Sequence, residues 1–309
     1  MVIITKLERR HETFLDVVKS YYQLTKPRII PLLLITTAAS MWIASEGRVD
    51  LFKLLITLLG GTLAAASAQT FNCIYDQDID YEMLRTRERP IPSGRVQPRH
   101  ALIFGLILGA ISFSLFALFI NLLSGFLALS GIAFYMIIYT HFLKRHTTQN
   151  IVIGGAAGSI PPLVGWAAVT GDLGWTPWLL FTLIFLWTPP HFWALALMIK
   201  DDYAQVNVPM LPVIEGEEAT VKQIWIYTLL VVPLSFLLVY PLHQSGIFYA
   251  ISAVILGYQF IVKAWQVKQA PQDKELARSL FKYSIFYMML LCLAMIVDSL
   301  PIVHNLLPL

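Results

Sequence analysis

Charge is scarce in this 309-residue chain: Asp, Glu, Lys and Arg make up 13% of it, against roughly 25% in a soluble domain. Cysteine is almost missing. Cys73 and Cys292 lie far apart, near or inside apolar runs, which excludes a disulfide framework and a cysteine-based zinc site; both read as buried thiols. The apolar core of a cleavable signal is also lacking at the start. Residues 1–28 carry Lys6, Glu8, Arg9, Arg10, Glu12, Asp16, Lys19, Lys26 and Arg28 instead, and read as a cytoplasmic lead-in. Nucleic acid is excluded as a partner, because the basic residues stand beside apolar-stretch ends and acidic clusters rather than in a patch of their own.

Apolar sequence is abundant. Hydrophobic residues make up 57% of the chain and its mean hydropathy is +0.66. Stretches of about 20 apolar residues, the length that crosses a bilayer, recur at 29–45, 54–74, 101–121, 124–142, 150–169, 177–199, 224–242, 247–265 and 281–302. The expected fold is an all-α integral membrane protein: nine transmembrane helices in a bundle around a central cavity, with 29–309 forming one domain. With the N-terminus in the cytoplasm, 20 of the 22 Lys and Arg residues fall on inner segments, and only Arg48 and Lys53 fall outside. The positive-inside rule therefore predicts every long polar loop on the cytoplasmic face. Acidic clusters after the second and sixth stretches suggest two four-helix halves plus a ninth helix.

The first cluster is Asn72-x-x-x-Asp76-x-x-x-Asp80. Steps of four place these side chains on one helical face. Carboxylates stacked this way repel one another unless a cation neutralises them, and oxygen ligands suit Mg²⁺, which takes one or two carboxylates plus water and substrate phosphate. Ionisable groups at membrane depth are functional candidates; Asp78 and Glu82 read as solvated helix-end charges. Arg85, Arg87 and Arg89 follow at once, and guanidinium groups match phosphate oxygens. Arg87 and Arg95 are accounted for by the inside rule alone.

Asn72-x-x-x-Asp76-x-x-x-Asp80 with Met83-x-Arg85-Thr86-x-x-Arg89-Pro90 resembles the first aspartate motif of the membrane-embedded UbiA-type prenyltransferase superfamily. The segment His191-Phe192-Trp193 through Asp201-Asp202-Tyr203, with Val208 to Val213, stands where that superfamily has its second motif. Its wording is similar to the haem-farnesylating branch. So are Thr25-Lys26-Pro27-Arg28, the run from Tyr139 through Lys144 and Asn150 to Gly155, and Pro161 to Trp166. The similarity covers about residues 20–215, and agreement beyond is at the level of hydropathy. Tyr139 and Lys144 are five residues apart, where the hydroxybenzoate branch spaces its Tyr and Lys by four, so no tyrosine role is carried over.

The resemblance implies transfer of a farnesyl group from farnesyl diphosphate to a vinyl group of haem B, in the bilayer. The metal set would be Asn72, Asp76, Asp80 and Asp202, holding Mg²⁺. Arg85, Arg89 and Lys144 would neutralise the leaving diphosphate. Lys26, Arg28, Asn72, Asn150, Trp193, Lys200 and Tyr203 would contact substrate. His191 would ligate haem iron or move a proton, the alternative being a buried structural histidine; His141 reads as a loop-end residue. Trp166, Trp187 and Trp193 would stack on the porphyrin, line the prenyl channel or mark the interface. The implied location is a bacterial plasma membrane with a cytoplasmic active site, and the implied partner a haem A synthase or an oxidase assembly protein. The competing readings are a phenol, naphthoate or chlorophyllide acceptor, and an ion-coupled transporter, which would need its clusters nearer the midplane.

Overall fold

In the computed structural model, which describes residues 13–240, 242, 244–301 and 303, the regular structure of the described residues is helical throughout. Lys6, Glu8, Arg9, Arg10 and Glu12 of the expected lead-in lie outside the described residues. In order, the helices are α1 (Phe14–Leu24), α2 (Ile30–Ala44), α3 (Leu51–Tyr75), α4 (Gln77–Glu82), α5 (Pro98–Phe119) and α6 (Leu122–Ala133). A π-helix, Phe134–Leu143, continues α6 without a break; α7 (Asn150–Ser159) and α8 (Pro161–Thr170) follow. The rest are α9 (Trp175–Met198), α10 (Lys200–Gln205), α11 (Leu211–Ile214), α12 (Gly216–Ser235), α13 (Ile247–Gln269) and α14 (Lys274–Asp298).

Local chemistry sets several of these ends. Asp50 caps α3 by accepting from the Phe52 and Lys53 amides at 2.8 and 3.2 Å. Asp273 does the same for α14 through Glu275 and Leu276. Such caps satisfy amides that have no partner within the helix.

Among the described residues, eight helical stretches are long and apolar enough to cross a membrane. The ninth expected span, 29–45, becomes α2, a helix of 15 residues. At 1.5 Å per residue it reaches only about 22 Å, short of the roughly 30 Å hydrocarbon core, because the chain turns at Glu46 and Gly47, both with positive φ. Two other spans start earlier than hydropathy predicted. α12 begins at Gly216 and α14 at Lys274, since each helix runs on past its apolar part into a charged turn. Outward faces are apolar: Leu102, Ile103, Leu106 and Ile107 on α5, and Ile251, Val254, Ile255 and Tyr258 on α13, are exposed. A water-soluble fold does not tolerate bands of this kind. They meet lipid, and the chain is an integral membrane protein.

Inside, small residues let backbones approach. Along α3 and α5, Ser67 donates to the Gly105 carbonyl at 2.8 Å and Ser112 to that of Gly60 at 2.7 Å. Where α8 crosses α2, a Cβ on Gly165 would stand 2.4 Å from the Thr37 carbonyl oxygen, a backbone atom that cannot step aside. Gly165→Val is therefore expected to cost about 1–3 kcal/mol from overpacking. The check is a thermal melt in detergent followed by recovery of monodisperse protein; a melt unchanged from wild type would contradict the packing described.

Candidate functional site

The last turns of α3 carry Gln69, Asn72 and the residues that begin the acidic cluster. The α-helix stops at Tyr75, and α4 restarts at Gln77. Its hydrogen-bond ladder nevertheless continues across the junction, Asp76 N to Asn72 O at 2.9 Å and Asp80 N to Asp76 O at 2.8 Å. The steps of four therefore hold, and Asn72, Asp76 and Asp80 are 2%, 1% and 3% exposed.

The chain itself supplies cations to these carboxylates. Lys144 Nζ donates to Asp76 Oδ2, and the Asn72 amide donates to the same oxygen at 2.8 Å. Asn72 Oδ1 in turn accepts from Lys26 Nζ at 2.6 Å. Arg89 Nη1 reaches both oxygens of Asp80, at 2.8 and 2.7 Å. Asp78, expected to be a plain solvated charge, is gripped by both terminal nitrogens of Arg145 at 2.7 Å. That bond holds its carboxyl below the ordinary range. Lys26 sits in the α1–α2 turn with a φ of 47°. Backbone strain of this kind is kept where surrounding structure enforces it. Burial pulls its ammonium below the usual lysine value, against the pull of Cys73 and Asp76.

These groups surround a polar cavity of about 140 Å³. Lys26, Asn72, Asp76, Asp80, Arg85, Arg89, Lys144 and Tyr203 line it, with Thr86, Tyr135 and Tyr139. Ile79, Met83 and Val208 complete the wall. Burial pushes the Tyr203 phenol up, which keeps it a neutral hydrogen-bonding group.

Tyr139 and Lys144 share this wall because of the π-helix. Lys144 N bonds to Tyr139 O at 2.8 Å, and Thr140 Oγ1 donates to Tyr135 O at 2.8 Å. Both are five-residue steps, so Tyr139 and Lys144, five apart, fall on one face. The Tyr135 and Tyr139 rings stack with centroids 5.3 Å apart. Tyr135 belongs to no motif singled out in the sequence, and Tyr139 was left without a role because its spacing to Lys144 departs from that of the hydroxybenzoate branch. π segments concentrate at functional sites, but no residue type announces them. Arg145, beside Lys144 and 3.8 Å from Asp76 Oδ1, was also passed over.

Several expected site residues are placed elsewhere. Asp202 pairs with Arg85 at 3.5 Å and is not in the cavity wall. Among the described residues, no three Asp, Glu, His or Cys side chains gather around a common point, so Asp202 is not assembled with Asp76 and Asp80. Asn150 is a tie, its amide 3.4 Å from the Lys144 and Pro209 carbonyls. Lys200 lies 3.4 Å from Glu217, and Arg28 is exposed. Trp193 is packed in the core, edge-on to Tyr227. His191 accompanies Ser284 on α14 at 2.7 Å, away from the acidic cluster, and His141 contacts the Tyr75 hydroxyl at 2.8 Å.

A divalent cation fits the donors present. Asp76 Oδ1 is buried and, among the described residues, accepts no hydrogen bond. Two carboxylates are as many as Mg²⁺ takes from protein when phosphate and water complete its shell.

The model of the UbiA prenyltransferase family matches residues 33–290. The protoheme IX farnesyltransferase of Synechocystis sp. is 80% identical over 99% of this chain and 97% of its own length. That of Rippkaea orientalis is 77% identical over 98% and 94%. A solved structure of digeranylgeranylglyceryl phosphate synthase superposes with a TM-score of 0.75 at 24% identity, covering 92% of this chain and 99% of that one. A UbiA homolog from Archaeoglobus fulgidus bound to GPP and Mg²⁺ gives 0.64 at 16% identity, over 90% and 99%. At such identities the two structures speak for the fold alone.

Proposed function

This chain belongs to the UbiA prenyltransferase family, and from that premise we propose that it transfers a farnesyl group from farnesyl diphosphate to a vinyl group of haem B. Water adds in the same transformation, diphosphate leaves, and the product is haem O. The observation that carries the reading is the cavity in which Lys26, Lys144, Arg85 and Arg89 face Asp76 and Asp80 at one end of an apolar bundle. Identity of 65–80% to protoheme IX farnesyltransferases over nearly the whole chain supports the acceptor. In this reading α2, although shorter than the hydrocarbon core is thick, is the ninth helix of the membrane bundle, the N-terminus and the cavity lie on the cytoplasmic side, and the membrane is the plasma membrane of a bacterium.

Asp76 and Asp80 would hold Mg²⁺, with Asp202, the remaining carboxylate of the expected set, paired to Arg85 just outside the wall, and the ion would lend Lewis-acid neutralisation to the diphosphate. The chain's own groups do the rest. Lys26 and Lys144 are half-buried donors on the cavity wall, and Arg89 can turn from Asp80 to phosphate oxygens. Together they stabilise the negative charge that grows as the carbon–oxygen bond breaks. The stacked Tyr135 and Tyr139 present ring faces to the allylic carbon as it becomes positive. Ile79, Met83 and Val208 give the otherwise polar wall an apolar side, which limits stray water until the vinyl carbon has reacted.

The direct test is to incubate the purified, detergent-solubilised protein with haem B, farnesyl diphosphate and Mg²⁺, and to follow the pigment by chromatography and mass. A haem heavier by farnesyl plus water is expected. A prenylated phenol or quinone precursor, formed while haem stays unchanged, would overturn the acceptor. In the same assay Arg89→Gln is expected to lower kcat/KM roughly 10²-fold, the scale for losing one charge-stabilising donor. Initial rates equal to wild type would remove Arg89 from the machinery.

A further inference from the structure

His191 is set apart from the diphosphate cavity, and its surroundings fix its chemistry. On α9 it lies between two near-parallel rings, Trp187 at 4.4 Å and 16° and Phe281 of α14 at 4.7 Å and 21°. One residue of α14 holds the arrangement. The Ser284 carbonyl accepts from Trp187 Nε1 at 2.9 Å, and the Ser284 hydroxyl meets His191 Nδ1 at 2.7 Å.

That hydroxyl has a single hydrogen, and it is committed: Ser284 Oγ donates to the Phe281 carbonyl at 2.7 Å. Ser284 can then only accept from the imidazole. Nδ1 carries the proton, and Nε2 of the neutral ring carries a lone pair. Among the described residues no hydrogen bond engages Nε2. His191 keeps 7% of its surface. A third ring, Phe192, stands edge-on to the imidazole at 5.0 Å. A histidine placed only for packing has no need of a spare basic nitrogen in an apolar interior. A metal-binding histidine has this outfit: one N–H tied to an oxygen that fixes tautomer and ring plane, the other nitrogen free.

We propose that His191 Nε2 is the axial ligand that anchors the iron of the porphyrin acceptor, with Ser284 as its positioning residue. The proposal rests on haem B being the acceptor. Neutral imidazole is an established axial ligand of haem iron, and the tie to Ser284 keeps the ring in the form that ligates. Iron ligation would hold the macrocycle at α9 and α14, so that a peripheral vinyl group rather than the ring centre is offered to the farnesyl donor.

The test uses the full chain in detergent with ferric haem B, read by absorption and electron paramagnetic resonance. Wild type is expected to give a nitrogen-ligated haem spectrum, and both His191→Ala and His191→Gln to lose it. Haem affinity should fall about tenfold in Ser284→Ala, the effect of removing an outer-shell partner, and further in His191→Ala. Metal-free protoporphyrin IX, followed by fluorescence, should bind wild type and variants alike, and added imidazole should restore the spectrum of His191→Ala. An unchanged haem spectrum in both His191 variants would overturn the proposal, as would equal losses for haem and metal-free porphyrin. If wild type farnesylates haem while its spectrum ignores His191, only this inference fails; if wild type neither binds nor farnesylates haem, the acceptor reading fails with it.

Discussion

Asp76→Asn is expected to lower turnover roughly 10³-fold, the upper scale for removing one preorganised electrostatic group, while the protein still inserts and purifies. The substitution keeps shape and an oxygen. It removes the charge that holds Lys144 and that a divalent ion would need. Breaking a buried pair costs about 3–5 kcal/mol. Here the penalty should be smaller, because the Lys144 side chain keeps 14% of its surface and can turn to water. Folding and catalysis are thereby separable, with detergent melts and rates measured on one preparation. Full activity in Asp76→Asn would end the assignment of metal and diphosphate to this cluster.

Chelation with EDTA is the second large effect expected, a fall of the order of 10³-fold or more that Mg²⁺ restores. The lining cations alone would suit a polyanion, but Asp76 and Asp80 stand in the same wall. A diphosphate laid against two carboxylates is repelled at short range in a low-dielectric setting. A divalent ion between them turns that repulsion into a bridge. Donor binding measured by calorimetry should weaken with chelation, whereas haem binding should be indifferent to it. Turnover that survives exhaustive chelation would leave Lys and Arg as the whole of the leaving-group machinery.

What could be read in advance depended on which period the backbone kept. Asn72, Asp76 and Asp80 were legible because four-residue hydrogen bonds survive the break at Tyr75. Arg85 and Arg89 were legible as charges close to an acidic cluster, and Lys26 and Lys144 only through the family resemblance of their own segments. Tyr135 was not, because it is an uncharged aromatic inside an apolar stretch and nothing local separates it from a packing residue. Sequence alone treated the acidic cluster as waiting for a metal, whereas its first counterions are Lys144 and Arg89, brought from 68 and 9 residues away. Contacts over the longer distance belong to the folded bundle and leave no local mark. Hydropathy found the spans but misjudged their ends, since α12 and α14 carry charged first turns that an apolar window discards.

The five-residue turn between Tyr139 and Lys144 also bears on how the chain can vary in length. In an α-helix each residue advances about 100° around the axis, so one extra residue would swing Lys144 away from Asp76 and rotate everything after it. The π-helix takes up that residue as a wider turn, leaving both wall positions and the approach to α7 in register. It works as a shim: a single residue added or removed there changes the count between two site residues without changing where they point. Spacing by number is thus a poor guide to this wall, and spacing by turn a good one.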